Sequence, residues 1–427
     1  MNGHRFRRSG LLIGMTVLIT GLTLPASLPA AAAEAPDQVL AWNRYAYHEL
    51  FVVKGQPPPV AFLNLAMMHA AMYDAVNAVD GSYEPYLGAP AGADPSDSKN
   101  AAAAEAAYRV LLAVVPSPSA QLTTDYNTSI ATITSAGESG IAGGQAVGQA
   151  AASAIVAARS GDNRTTPTAF STGTDPGDWQ AFSGNNFRWL ANIDPFLIEE
   201  AEVFATNGPR SLGSEEYATE FNQVKSLGNK TSSTRTEDQT AAALFWADNA
   251  IAMWTRIFQD LAEDQDLSTV EGSRFFAMLY LTGTDTLIAC FDDKERHGFW
   301  RPQTAIRNAG TGGNADADGN PDTVADPTWE SLLVNPPYPD HPSGHTCASG
   351  SIVATLQDFF GTDEMSFGAT HATLGIQRTF TRFSDALKEI RKARVWGGLH
   401  FMTADAQGAN LGRKVANYRE DRYFQPA

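Results

Sequence analysis

Three short segments, far apart along the chain, constrain its fold more than anything else in it. They are Lys294-Glu-Arg-His-Gly-Phe-Trp-Arg301-Pro302, then Pro342-Ser343-Gly344-His345, then Arg394-Val-Trp-Gly-Gly-Leu-His400. Among their residues are Lys294, Arg301, Ser343, the Gly344 amide, His345, Arg394 and His400. That set of donors and cations suits the enclosure of a tetrahedral or trigonal oxyanion. A fold that uses it must bring residues as distant as Lys294 and His400 to one place.

Each segment has an ordinary reading beside the functional one. Lys294 and Arg301 are seven residues apart, so a helix through both would show them on one face. Pro302 would then lie at or past the helix end, where a missing N–H is tolerated. The competing reading is a solvated basic face. The second segment is rigid and precedes a small-residue helix beginning Thr346-Cys347-Ala348. Free N–H groups and the dipole at a helix start favour an anion, Gly344 allows close backbone approach, and His345 titrates in the range useful for moving protons. The competing reading is a helix cap by Ser343 with an incidental histidine. In the third, Arg394 and His400 are six apart, so an unbroken helix would not align them. Gly397-Gly398 can break it and return both to one site; an exposed arginine at a helical corner is the alternative.

Lys-x6-Arg-Pro, Pro-Ser-Gly-His and Arg-x5-His, in this order, resemble the signature of vanadium-dependent haloperoxidases and type 2 phosphatidic acid phosphatases, one superfamily with a shared vanadate or phosphate pocket. The resemblance covers about a quarter of the chain. It implies that Lys294, Arg301 and Arg394 bind the non-bridging oxygens with Ser343 and the Gly344 amide, that His345 is the acid/base residue, and that His400 ligates vanadium or, in a phosphatase, attacks phosphorus. It also implies a fold of two stacked helical bundles with the site in the C-terminal one. Two departures stand out. The family usually has Asp four residues after the last histidine, whereas Asp405 here is five after His400, and Ala393 replaces a serine often found before the arginine. The orienting partner of His400 is therefore open.

The rest of the chain is read as helical. Apolar residues recur at helical spacing over 37–51 and, from Val60 to Val79, over 58–80; further helices are expected at 100–115, 121–135, 139–159, 214–226, 234–246, 248–263 and 267–290. Ser117 or Ser119 is expected to cap the helix from 121, and Ser233-Thr-Arg-Thr-Glu-Asp reads as a capping segment. His69 reads as a core histidine, and the stripe through Phe245, Trp246, Met253, Trp254, Ile257 and Phe258 as core. Strand-like alternation is nearly absent, so the fold class is all-α. Residues 160–196 are too long and polar for an ordinary connection. They read as a crossover whose Trp179, Phe182, Phe187 and Trp189 either pack beneath it or line a substrate entrance. Asn314 to Asp322 has alternate oxygen ligands but wrong glycine and glutamate positions for an EF-hand, so a solvated acidic turn is expected. No dinucleotide fingerprint, phosphate loop or Cys/His zinc spacing is present.

A formal charge of −17 makes nucleic acid and anionic membranes poor partners. Arg5, Arg7 and Arg8 before the apolar run Leu11–Leu24, with small residues near Ala33, read as an export signal. No later stretch approaches eighteen apolar residues, so secretion without a membrane anchor is expected. The division read from the sequence is a signal peptide (1–33), an N-terminal helical domain with crossover (34–196) and a C-terminal catalytic domain (197–427). Cys290 and Cys347 flank two of the site segments; two buried thiols or a disulfide both fit. Tyr338 and His341 lie close to His345 without an assigned role. The expected activity is a haloperoxidase that uses vanadate, hydrogen peroxide, halide and an organic acceptor. The alternative is a secreted phosphatase that needs no cofactor and acts on a phosphate ester. Halide and oligomeric state are left open.

Overall fold

The helical period of the N-terminal half becomes five helices: α1 (Gln38–Tyr47), α2 (Pro58–Asp80), α3 (Lys99–Val114), α4 (Ala120–Ser135) and α5 (Ile141–Ala158). The computed structural model describes residues 37–164, 166–308 and 318–427. The signal-peptide reading of 1–33 and residues 314–317 of the acidic loop lie outside the described residues. The second half continues with α6 (Glu215–Leu227), α7 (Glu237–Phe245), α8 (Ala250–Asp264), α9 (Thr269–His297), α10 (Pro302–Asn308) and α11 (Gly344–Phe360), then α12 (Phe383–Trp396) and α13 (Met402–Glu420). The fold is mostly helical. One antiparallel hairpin, β1 (Glu364–Thr370) and β2 (Gln377–Arg382), departs from the all-helical expectation. Its outer face is mostly exposed, while Phe367 and Phe380 pack on the core.

α9 organises the interior. A capping box of Ser268 and Glu271 starts it, and it packs against α2 on one side and α11 and α13 on another. Most of α2 is buried because its apolar residues occupy every face. His69 lies inside this core, stacked on Phe276 and Tyr280 and 2.9 Å from Asn43 Nδ2 through its Nε2, while its Nδ1 has no partner; it is a core histidine, satisfied at one nitrogen. The aromatic stripe of α7 and α8 is also core.

Several local expectations change. Ser119 stands at the start of α4 but gives its hydroxyl to Glu49 rather than to the helix. Thr236 and Gln239 form the capping box of α7. Among the described residues, α5 is long and apolar enough to cross a membrane by length and composition, against the expectation that no later stretch is. Its glycine face instead lies so close to α3 that a Cβ at Gly144 would sit 2.2 Å from the Ser98 carbonyl. Asp285, midway along α9, accepts the N–H groups of Phe196, Leu197 and Ile198 at 2.7, 2.6 and 2.9 Å. It thereby fixes the end of the crossover. The acidic turn is not wholly solvated: Asp318 is buried and accepts from Thr323, and Asn320 donates to the Leu212 and Ser214 carbonyls.

Candidate active site

The first segment does not lie on one helix. α9 stops at Gly298, whose φ of 49° is left-handed, and the chain then runs extended to Pro302, the first residue of α10. The expected shared helical face of Lys294 and Arg301 is thus corrected. What returns Arg301 to Lys294 is a reversal held by the crossover: Trp179 N–H donates to Gly298 O at 2.7 Å and Trp300 N–H to Gly177 O at 2.9 Å. Both cations are fully buried. Lys294 Nζ donates to the carbonyls of Pro339 and Asp340, at 2.7 and 3.1 Å, and of Pro342. Arg301 Nε donates to Tyr338 O at 3.0 Å and its Nη1 to Leu399 O at 3.0 Å. The Tyr338 ring faces both charges, each 5.1 Å from its centroid. These cations pin the loop that leads into the second segment as well as charging the site.

Ser343 begins α11, yet its hydroxyl makes no capping bond and is buried without a sound hydrogen-bond partner. The incidental-cap reading is therefore replaced. Gly344 lies against Lys294 Cε. The His345 ring bonds the Trp246 carbonyl, which Arg394 Nη1 also reaches at 3.4 Å. His345 Nε2 has no partner. Protein surrounds this ring, though part of its surface opens to a cavity. Burial, with Arg394 adding to it, holds His345 well below the usual imidazole range, so it is a neutral base.

The third segment breaks where expected. α12 ends at Trp396, and Gly398 turns at φ 75° with the Gly228 carbonyl and the Trp329 ring filling the space a Cβ would need. His400 then points back into the interior. Its Nε2 is 3.1 Å from Arg301 Nη1 and its Nδ1 is 2.8 Å from Asp340 Oδ1. A guanidinium only donates, so Nε2 must accept and the ring proton sits on Nδ1, beside the Asp340 carboxyl. The contact is close, though the N–H does not aim straight at the oxygen. Burial pushes Asp340 up to about 8, opposed by Arg301 and Lys294. Burial and then Arg301, Lys294 and Arg394 hold His400 well below its ordinary value.

Asp340 answers the question left by Asp405. The displaced Asp405 lies in the first turn of α13, buried beside Ser343 and Arg394, and burial raises it well above the carboxylate range. Asp340 carries the orienting position instead. Sequence reasoning missed it, although an acid between Pro339 and His341 at the edge of the second segment was a usable signal. It also missed the Trp246 carbonyl, which no side-chain pattern can announce.

Close packing holds the three segments together. A Cβ at Gly412 would stand 2.2 Å from the Cys347 carbonyl, and one at Gly408 2.5 Å from Thr346 Oγ1, so α13 and α11 nearly touch. Cys290 and Cys347 form a disulfide between α9 and α11, which corrects the buried-thiol alternative. A cavity of about 460 Å³ ends on Tyr338, Gly344, His345 and Arg394, with Pro58 and Phe187 among the apolar residues of its walls. Of the four crossover aromatics only Phe187 reaches it. Trp179 is buried against Phe170, Phe182 is half exposed, and Trp189 packs on the core.

Lys294, Arg301, His345, Arg394 and His400 are thus brought together. Burial lowers Lys294 and Arg301, and lowers Arg394 to about 10. His345 Nε2 and Arg394 Nε have no protein partner, and the Ser343 hydroxyl has only the neighbouring Asp405 carboxyl. Three buried cations, with Arg394 Nε left short of a partner, fit a compact oxyanion, vanadate or phosphate, better than any neutral ligand.

Residues 274–426 match the family of the second helical-bundle domain of vanadium chloroperoxidase. Vanadium chloroperoxidase of Curvularia inaequalis is 27% identical over 155 residues, 30% of this chain and 24% of that protein. The match thus spans about a quarter of the relative's length. Among solved structures, a bacterial vanadium-dependent iodoperoxidase superposes with a TM-score of 0.78 at 22% identity, over 92% of this chain and 97% of that one. A bacterial vanadium-dependent chloroperoxidase in its apo form gives 0.66 at 16% identity, over 85% and 93%.

Proposed function

We propose that this chain, whose residues 274–426 belong to the family of the second helical-bundle domain of vanadium chloroperoxidase, is an exported vanadate-dependent haloperoxidase. It would convert hydrogen peroxide, a halide and a proton into hypohalous acid and water, and so halogenate an organic acceptor. The observation that carries this is His400: a buried imidazole whose Nδ1 lies 2.8 Å from Asp340 Oδ1 and whose Nε2 accepts from Arg301 among a cluster of cations.

His400 Nε2 would ligate vanadium, while Lys294, Arg301, Arg394, Ser343 and the Gly344 amide would hold the vanadate oxygens. Bound vanadate supplies Lewis acidity toward peroxide without changing its own oxidation state. The chain supplies fixed positive charge in a largely dry pocket, which strengthens every electrostatic contact there. His345 would take a proton from incoming peroxide at its free Nε2 and return it to the departing oxygen. Trp246 holds the ring still meanwhile. The cavity walls would exclude water and admit the halide. In this reading residues 197–427 are the catalytic domain and 34–196 support it, with Pro58, Pro59 and Phe187 completing the cavity wall. The signal-like residues 1–33 would direct export.

One observation favours a second reading. An acidic side chain beside Nδ1 also suits a nucleophilic histidine, so a phosphatase that takes a phosphomonoester remains the alternative. With Asp340 in place, the displaced Asp405 no longer counts against it. Assaying peroxide-dependent halide oxidation with orthovanadate, beside phosphomonoester hydrolysis without it, separates the two. Vanadate-dependent bromination or iodination supports the peroxidase; hydrolysis that vanadate inhibits supports the phosphatase.

A further inference from the structure

His341 does not line the cavity; it meets two residues of the last turns of α9. Asp293 and His297 are one turn apart on that helix, and one ligand-type atom from each of Asp293, His297 and His341 lies within 4.8 Å of the others. Asp293 Oδ1 is 3.3 Å from His297 Nε2. Two ligands on one tetrahedral zinc stand about 3.3 Å apart, as follows from metal–ligand distances of about 2.0–2.1 Å. The two histidine rings are perpendicular, with centroids 5.1 Å apart.

The hydrogen bonds around these groups leave metal-binding atoms free. Thr206 N–H and Oγ1 both reach Asp293 Oδ2, at 3.0 and 2.5 Å. Thr206 Oγ1 is also 2.9 Å from His341 Nε2. The hydroxyl has one proton, and the carboxylate can only accept it. Thr206 must therefore accept from His341 Nε2–H, which leaves the Nδ1 lone pair bare. Asp293 Oδ1, His297 Nε2 and His341 Nδ1 are all buried; Asp293 and His297 pair loosely with each other at 3.3 Å, and none of the three has another hydrogen-bond partner. Asp293 and His341 are each 1% exposed. One cation competes: Arg296 Nε lies 3.5 Å from Asp293 Oδ1, but Arg296 is exposed and also faces Asp292 and Glu202, so it can swing away. An oriented carboxylate and an oriented imidazole, each held by its far atom, form the supporting arrangement that metal ligands require.

We propose that Asp293, His297 and His341 bind a divalent transition-metal cation, zinc by donor set, in a site distinct from the oxyanion pocket. Two nitrogens and one oxygen leave a fourth position for water, reached past the partly exposed His297. The cation would tie the end of α9 to the loop that carries Asp340, and so steady the carboxylate that faces His400. The inference does not depend on which oxyanion the pocket takes.

The test uses the full chain, stripped with a chelator and free of vanadate. Zinc is titrated calorimetrically, with metal content measured after gel filtration, and cobalt(II) is added as a spectroscopic probe. The expected result is one equivalent bound per chain, tetrahedral visible absorption with cobalt, and a raised thermal midpoint. His297→Gln, at a partly exposed position, should weaken zinc binding at least tenfold. Thr206→Val keeps all three ligands but loses the orienting hydroxyl, and should weaken it by roughly 10–100-fold. Failure of the parent chain to bind stoichiometrically, or a loss of less than tenfold in His297→Gln, overturns the proposal.

Discussion

Two buried histidines show how differently this interior treats the same side chain. His69 lies between aromatic rings near the middle of α2, meets Asn43, and is driven to about 3 by burial alone. His400 is equally buried, but it stands among Lys294, Arg301 and Arg394, with Asp340 on its other nitrogen. Around His69 almost everything nearby is carbon, and the few polar groups (Asn43, Tyr280, Thr255, Gln259) bond one another. Around His400 the protein has buried charge and left several donors short. Burying unpaired charge is costly. A region that does so is kept for a ligand, whereas the uncharged cluster at His69, where only the His69 Nδ1 lacks a partner, is kept for the fold.

The strongest way to break this comparison is to remove the site histidines. His400→Ala should lose vanadate retention by more than the roughly 10–100-fold a supporting residue costs, measured by equilibrium dialysis. His345→Ala should retain vanadate but lose turnover by roughly 10²–10⁴-fold, the range of a general base. Equal retention by both variants would erase the distinct roles given to them.

The disulfide lies close to the site, four residues before Lys294 and two after His345. Paired Cys290→Ala and Cys347→Ala changes should lower stability by about 4 kcal/mol for a closed loop of this length, read from denaturant unfolding. An unchanged midpoint would mean that helix packing alone holds α9 to α11.

Asp340→Asn sharpens the contrast. It should weaken vanadate binding by roughly 10–100-fold with little change in thermal midpoint. A drop in midpoint with unchanged affinity would make Asp340 a structural residue. The smallest effect is expected at His69→Leu, which should cost about 1 kcal/mol in unfolding experiments and leave halide oxidation unchanged. Loss of activity there would show that the two regions are not separable.

Much of this was legible in the chain. The bounds of α2 follow from Pro58 at the start, an unbroken apolar period, and Gly81 at the end. The break at Gly397-Gly398 and the placement of Ser343 at the start of α11 follow equally from local chemistry. The helical fold was thus readable, because periodicity and turn chemistry act over a few neighbours; the seven proposed site residues came instead from three motifs and the family they resemble.

What stayed hidden depends on contacts between distant residues. The sequence spacing of Lys294 and Arg301 suggested one helix; the structure has a helix end and a reversal, held by the Gly177 carbonyl and the Trp179 N–H of the crossover, more than a hundred residues earlier. The count to Asp405 suggested a missing orienting carboxylate; Asp340 supplies it from another loop. The pairing of Cys290 with Cys347 was one of two open readings until α9 and α11 were seen side by side. The sequence by itself determined which side chains this protein has for its site and the helices that carry most of them. Only the tertiary structure decided which carboxylate serves which imidazole. Hydrogen bonds and ion pairs act through a few ångströms of space, whatever the distance along the chain.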